Sequence, residues 1–93
     1  MNPLEKKRLK ARAHGLKPVV MIGQSGLTEN VLAETEIALN AHELIKVKIR
    51  AEREERSKIQ QEICARTGAD FIQTIGQILV IYRLNPDKKR TTV

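Results

Sequence analysis

The chain has 93 residues, with 17 Lys and Arg against 11 Asp and Glu, a formal net charge of +6 and a pI near 9.8. That length admits one domain and no second core, and its 26 Leu, Ile, Val and Phe residues stand above the ~20% below which disorder is the default. No apolar run approaches the ~20 residues of a membrane span, no apolar signal-peptide centre follows the charged start, and Cys64 alone can form neither an internal disulfide nor a zinc site, so a soluble, cytoplasmic, monomeric protein is expected.

Asn2-Pro3-Leu4-Glu5 reads as a helix start. Asn2 can cap, Pro3 suits the first turn, and Glu5 favours the helix dipole. This helix runs to about Ala13, stops at Gly15, and has a thin apolar face of Leu4, Ala11 and Leu9. Pro18 launches a strand over residues 19–22 that is apolar on both faces, as a strand covered on both sides would be. Gly23-Gln24-Ser25-Gly26 forms a tight loop, and Thr28 caps a second helix to about Ala41. Its inner face carries Val31, Leu32, Thr35, Ala38, Leu39 and His42, while Ile37 falls among the glutamates on the polar side.

Residues 44–50 alternate cleanly, with Ile45, Val47 and Ile49 on one side and Lys46, Lys48 and Arg50 on the other. A third helix spans about 52–67, with Ile59, Ile63, Cys64 and Thr67 inward and Gly68 as its stop. Strands over 71–75 and 78–83 make a hairpin around Gly76-Gln77. Phe71 is expected in the core and Tyr82 in the core or at its rim. The order αβαβαββ predicts an α/β chain of the two-layer α+β type, a four-stranded mixed sheet packed by helices. Residues 1–84 form the domain, and 85–93 a basic, flexible tail.

The charge is polarised. Residues 1–18 hold Lys6, Lys7, Arg8, Lys10, Arg12 and Lys17 against Glu5 alone, whereas 28–45 hold Glu29, Glu34, Glu36 and Glu43 with no cation. Polarised charge orients a protein on a polyanion, and a domain this basic is a nucleic-acid candidate. Signs of catalysis are weak: only His14, His42 and Cys64 have ordinary pKa values near neutrality, and no spacing suggests a metal site or a Walker loop. His42 reads as a partly buried structural histidine and Cys64 as inert packing. The expectation is a binding protein, with no enzymatic activity, cofactor or metal.

The glycine loop carries the strongest functional signal. It follows an apolar strand, precedes a capped helix and holds no acid. Two glycines let backbone N–H groups approach a ligand, and the helix N-terminus adds free amides and a positive dipole end, an arrangement suited to phosphate. The basic first helix, its neighbour in sequence, and the Lys46, Lys48, Arg50 stripe would flank it, much as K-homology domains hold a nucleic-acid backbone. With only Phe71 and Tyr82 as aromatics, a base-stacking platform of the RNA recognition motif or OB-fold kind is disfavoured.

Residues 14–29, HGLKPVVMIGQSGLTE, resemble the CRM domain (chloroplast RNA splicing and ribosome maturation) in its free-standing bacterial, YhbY-type form, as do His42-Glu43-Leu44-Ile45-Lys46-Val47-Lys48 and Gly76-Gln77-Ile78-Leu79-Val80-Ile81-Tyr82-Arg83. The resemblance covers residues 4–84. It implies a fold related to the C-terminal domain of translation initiation factor 3, RNA binding through the Gly-x-x-Gly loop, and association with precursors of the large ribosomal subunit during assembly. Relatives often carry a basic or small polar residue in the loop; here Gln24 and Ser25 stand there. The expected RNA-binding set is Gly23, Gln24, Ser25, Gly26, Thr28, Lys6, Lys7, Arg8, Lys10, Arg12, Lys17, Lys46, Lys48, Arg50 and Arg83. The expected partners are ribosomal RNA and, secondarily, ribosomal proteins. An alternative is a protein–protein adaptor on the ribosome that docks through the acidic second helix, with Ile37 as its anchor.

Overall fold

Local chemistry sets the ends of the elements. The computed structural model describes residues 1–87 and runs α1 (Pro3–Ala13), β1 (Pro18–Ile22), α2 (Glu29–His42), β2 (Leu44–Ile49), α3 (Arg53–Thr67), β3 (Asp70–Ile75) and β4 (Ile78–Tyr82). Asn2 Oδ1 accepts the Glu5 amide at 2.8 Å and Thr28 Oγ1 accepts the Val31 amide at 3.2 Å, so both expected caps form. Gly68 takes a left-handed φ of 72° and closes α3 with its N–H on the Cys64 carbonyl. The tail cations Lys88, Lys89 and Arg90 lie outside the described residues.

The strands form one mixed sheet in the order β1-β2-β4-β3. β1 runs parallel to β2, with Ile22 opposite Ile49; β4 pairs antiparallel with β2 on one side and β3 on the other. β2 and β4 are thus internal, and β1 and β3 are edges. On one face Val20, Ile22, Ile45, Val47, Ile49, Leu79 and Ile81 pack with Leu39 of α2 and with Ile59 and Ile63 of α3. On the other face Leu9 and Ala13 of α1 pack with Leu44, Ile72 and Val80.

Four expectations from the sequence are corrected. β1 is covered on one face only: Val19 and Met21 are each 52% exposed, because α1 settles over Leu44, Ile72 and Val80 rather than over β1. The buried residues of α1 are Leu9 and Ala13, while Leu4 and Ala11 face solvent. Phe71 is 42% exposed rather than core. It lies on the edge strand β3, paired with Ile81 and beside a bulge at Ile72, whose own side chain is buried on the other face of the sheet under α1; the Lys6 ammonium stands 5.4 Å from the centre of the Phe71 ring. His42 is exposed, because the chain turns away directly after it through Glu43, at φ 64°, into β2.

Leu39 has no exposed surface, whereas Ile37 on the same helix is 69% exposed. Leu39→Ala is expected to cost about 3 kcal/mol and Ile37→Ala less than about 0.5 kcal/mol, as read from urea unfolding midpoints.

Candidate nucleic-acid interface

The parallel pairing of β1 with β2 decides what surrounds the glycine loop. Ile22 lies opposite Ile49, so the 23–26 loop emerges beside Arg50, whose amide donates to the Ile22 carbonyl at 2.9 Å. The Ile49 amide donates to the Gln77 carbonyl at 2.8 Å, which brings the β3–β4 turn to the same place. The β1–α2, β2–α3 and β3–β4 connections therefore meet at one end of the sheet.

Within the loop, the Gly26 amide closes a turn onto the Gly23 carbonyl at 3.0 Å, and the Thr28 amide bonds the Gly26 carbonyl at 3.0 Å. Gly26 sits at φ 70°, a conformation that L side chains resist. Gly23 differs: its φ is not left-handed, and a Cβ built there meets nothing within 4 Å. The amides of Gln24, Ser25, Leu27, Glu29 and Asn30 hold no hydrogen bond among the described residues. Gln24 and Ser25 belong to the loop, Leu27 to the link that follows it, and Glu29 and Asn30 to the first turn of α2, whose dipole reinforces them. Together they form a cluster of donors able to receive an anion.

The predicted cations separate into groups. Lys46 and Lys48 are half-buried and share the sheet face that α1 partly covers at Leu44. Lys48 stands in register between Met21 of β1 and Ile78 of β4, so its stem lies along apolar neighbours while its ammonium reaches outward. Arg50 is exposed beside the loop. Lys7, Arg8 and Arg12 project from the outer surface of α1, with Lys6 and Lys10 on its flanks. α1 does not lie beside the loop. Its apolar anchors sit at the Leu44 and Tyr82 end of the sheet, so its cations and the loop occupy opposite ends of one face, with Lys46 and Lys48 between them. Lys17 is also at the α1 end, directly before β1.

Arg83 stands apart from all of these. Its guanidinium donates to the Thr67 carbonyl at 2.7 Å and to Asn40 Oδ1 at 2.9 Å, and pairs with Glu36 at 2.8 Å. It ties α2, the end of α3 and the exit of β4 together, away from the loop.

The structure adds two cations that the balanced charge of residues 51–68 concealed. Arg53 and Arg56, in the first turn of α3, line a cleft of about 410 Å³ with Gln60, Thr74 and Gly76 at the loop end of the sheet. Their signal in the sequence was their position just after Arg50, one helical turn apart. Burial pushes the Cys64 thiol pKa up, with Asp70 adding to the effect, so Cys64 stays a neutral thiol at pH 7. Among the described residues no cluster of His, Cys, Asp or Glu could hold a metal ion, and no helix is long and apolar enough to cross a membrane.

The profile of the CRS1 / YhbY (CRM) domain matches residues 1–83, and the chain belongs to that family. An "RNA-binding protein" of Haemophilus influenzae is 55% identical over 86 residues, covering 91% of this chain and 87% of its own. A "Probable RNA-binding protein" of Pseudomonas aeruginosa is 51% identical over 83 residues, covering 88% and 80%. Among solved structures, that of a hypothetical protein from Staphylococcus aureus, described as an RNA-binding candidate, superposes with a TM-score of 0.82 at 28% identity over 96% of this chain and 94% of that one.

Chemical unfolding should separate the two glycines and test the role of Arg83. Gly26→Ala is expected to cost about 1 kcal/mol through its left-handed φ, and Gly23→Ala less than about 0.5 kcal/mol. Arg83→Ala, which strips partners from a carbonyl and a carboxylate, should cost about 1–3 kcal/mol.

Proposed function

We propose that this protein binds RNA along one face, from α1 across Lys46 and Lys48 to the 23–26 loop, and that its target is ribosomal RNA in precursors of the large subunit during assembly. The observation that carries the reading is the loop itself. It offers a cluster of unbonded amides at a helix N-terminus beside Arg50, and neither backbone strain nor internal packing calls for glycine at position 23. A bare backbone at such a position serves the close approach of a ligand. The naming of its relatives as RNA-binding proteins supports RNA as the partner, and membership of the CRM family, with the resemblance of residues 14–29, supports ribosome maturation as the setting.

The roles follow from the chemistry. Loop and first-turn amides donate to a phosphate, and Gln24 and Ser25 can add side-chain bonds to phosphate or a 2′-hydroxyl. Lys46, Lys48, Arg50 and the cations of α1 neutralise neighbouring phosphates. None of these steps makes or breaks a covalent bond.

Gly23→Asp tests the reading, because it places a negative charge in the loop at a position where a Cβ meets nothing within 4 Å and φ is not left-handed. The folded variant should lose most of its RNA affinity. With about six phosphates neutralised, the wild-type log affinity should fall with log salt at a slope of about −4 for single-stranded RNA and −5 for a duplex. A slope near zero, or an undiminished variant, would refute the interface. Co-sedimentation of the protein with large-subunit precursors rather than with mature ribosomes checks the target.

Ile37, 69% exposed on the acidic side of α2, gives the adaptor reading its only direct support. Glu34→Lys with Ile37→Asp separates the two, because Glu36 is held by Arg83 and is best left intact. The adaptor reading requires this variant to lose a protein partner. The RNA reading requires naked-RNA binding to persist.

A further inference from the structure

At the end of the sheet away from the glycine loop lies a groove of about 330 Å³, at the small end of the range for small-molecule sites. Leu16, Val19 and Leu44 supply its apolar walls, and Arg12, Lys17 and His42 stand around it. These residues come from the end of α1, the approach to β1 and the α2–β2 junction. The fold builds the groove through an irregularity in β1. Pro18 pairs with Lys46 and Val20 with Val47, so Val19 is an extra residue in the strand. Such a bulge redirects its side chain, and Val19 is exposed at the groove rather than packed in the core.

An apolar slot ringed by Arg12, Lys17 and an imidazole has two kinds of affinity at once. Its walls suit the flat face of a heterocycle, and its rim suits an attached anion and offers hydrogen bonds to ring nitrogens and carbonyls. From Leu44 to Ile49, β2 spans about 17 Å, and Lys46 lies on that path with Lys48 between it and the loop. We infer that this groove holds one nucleotide unit of a bound RNA single strand, its base against Leu16 and Val19 and its phosphate toward Arg12 and Lys17, while the glycine loop grips the backbone further along the same strand. The inference rests on the RNA reading above and adds to it a site that senses bases rather than phosphates alone.

The test uses fluorescence anisotropy with a labelled single-stranded RNA octamer and an abasic octamer of the same length. Leu16→Ser with Val19→Thr removes apolar wall from two exposed positions and keeps the branched shape of Val19; circular dichroism verifies its fold. This double variant should weaken the RNA octamer about tenfold with an unchanged salt slope, and should bind the abasic octamer as the wild type does. If it binds the RNA octamer undiminished while Gly23→Asp still loses it, the groove is empty and the loop reading stands. If Gly23→Asp is undiminished too, both readings fall; if the wild type binds duplex RNA but not the octamer, the groove inference falls and the loop reading stands. A second measurement does not depend on the variant folding: in the wild type, the RNA octamer should shift the methyl resonances of Leu16 and Val19, and static methyls overturn the inference.

Discussion

β2 is hydrogen-bonded along both edges, to β1 on one side and β4 on the other, and its alternation decides the orientation of everything else. Ile45, Val47 and Ile49 carry one face of the sheet into the core under α2 and α3. Because successive side chains in a strand point to opposite faces, Lys46 and Lys48 must then occupy the other face. A shift of register by one residue would bury two lysines and expose three branched apolar residues, so the pairing is strongly specified. The parallel register with β1 then brings the glycine loop beside Arg50.

That second face has a division of its own. α1 buries only Leu9 and Ala13, and the sheet accepts them where it is apolar, at Leu44, Ile72 and Val80. Toward the loop end the same face carries Lys48 with the exposed Met21, and among the described residues no helix covers it. The arrangement leaves a basic helix, two lysines and a donor-rich loop in line along one surface. The acidic side chains of α2 are on the opposite side of the sheet, so the polarity seen along the chain becomes a polarity in space, with repulsion on one side and attraction on the other for any polyanion.

The same residue type supplies both binding groups and structural ties, and net charge does not tell them apart. Arg50 and Arg83 each directly follow a strand, but Arg50 faces solvent while Arg83 is held by Glu36, Asn40 and the Thr67 carbonyl. Glu43 is similar in kind. It is buried, adopts a positive φ, and accepts the Asn85 amide through Oε2 at 2.7 Å and the Arg83 amide through its carbonyl. One acidic residue thereby anchors the exit of the last strand to the α2–β2 turn.

Element order, both helix caps, the stop at Gly68, the alternation of β2 and the place of the loop between β1 and α2 could be read from the residues, because caps, turns and periodicity depend on neighbours a few positions away. The glycine pair, the cation groups and the family resemblance were equally visible there. What the chain order could not settle was contact between distant segments: which face α1 covers, that Phe71 stays exposed on an edge strand, that His42 borders a groove, that Arg83 is held internally, and that Arg53 and Arg56 join the loop end. Each depends on strand order and on two one-residue bulges. Those are decided by which apolar surfaces fit together, and the fit exists only once the sheet has formed.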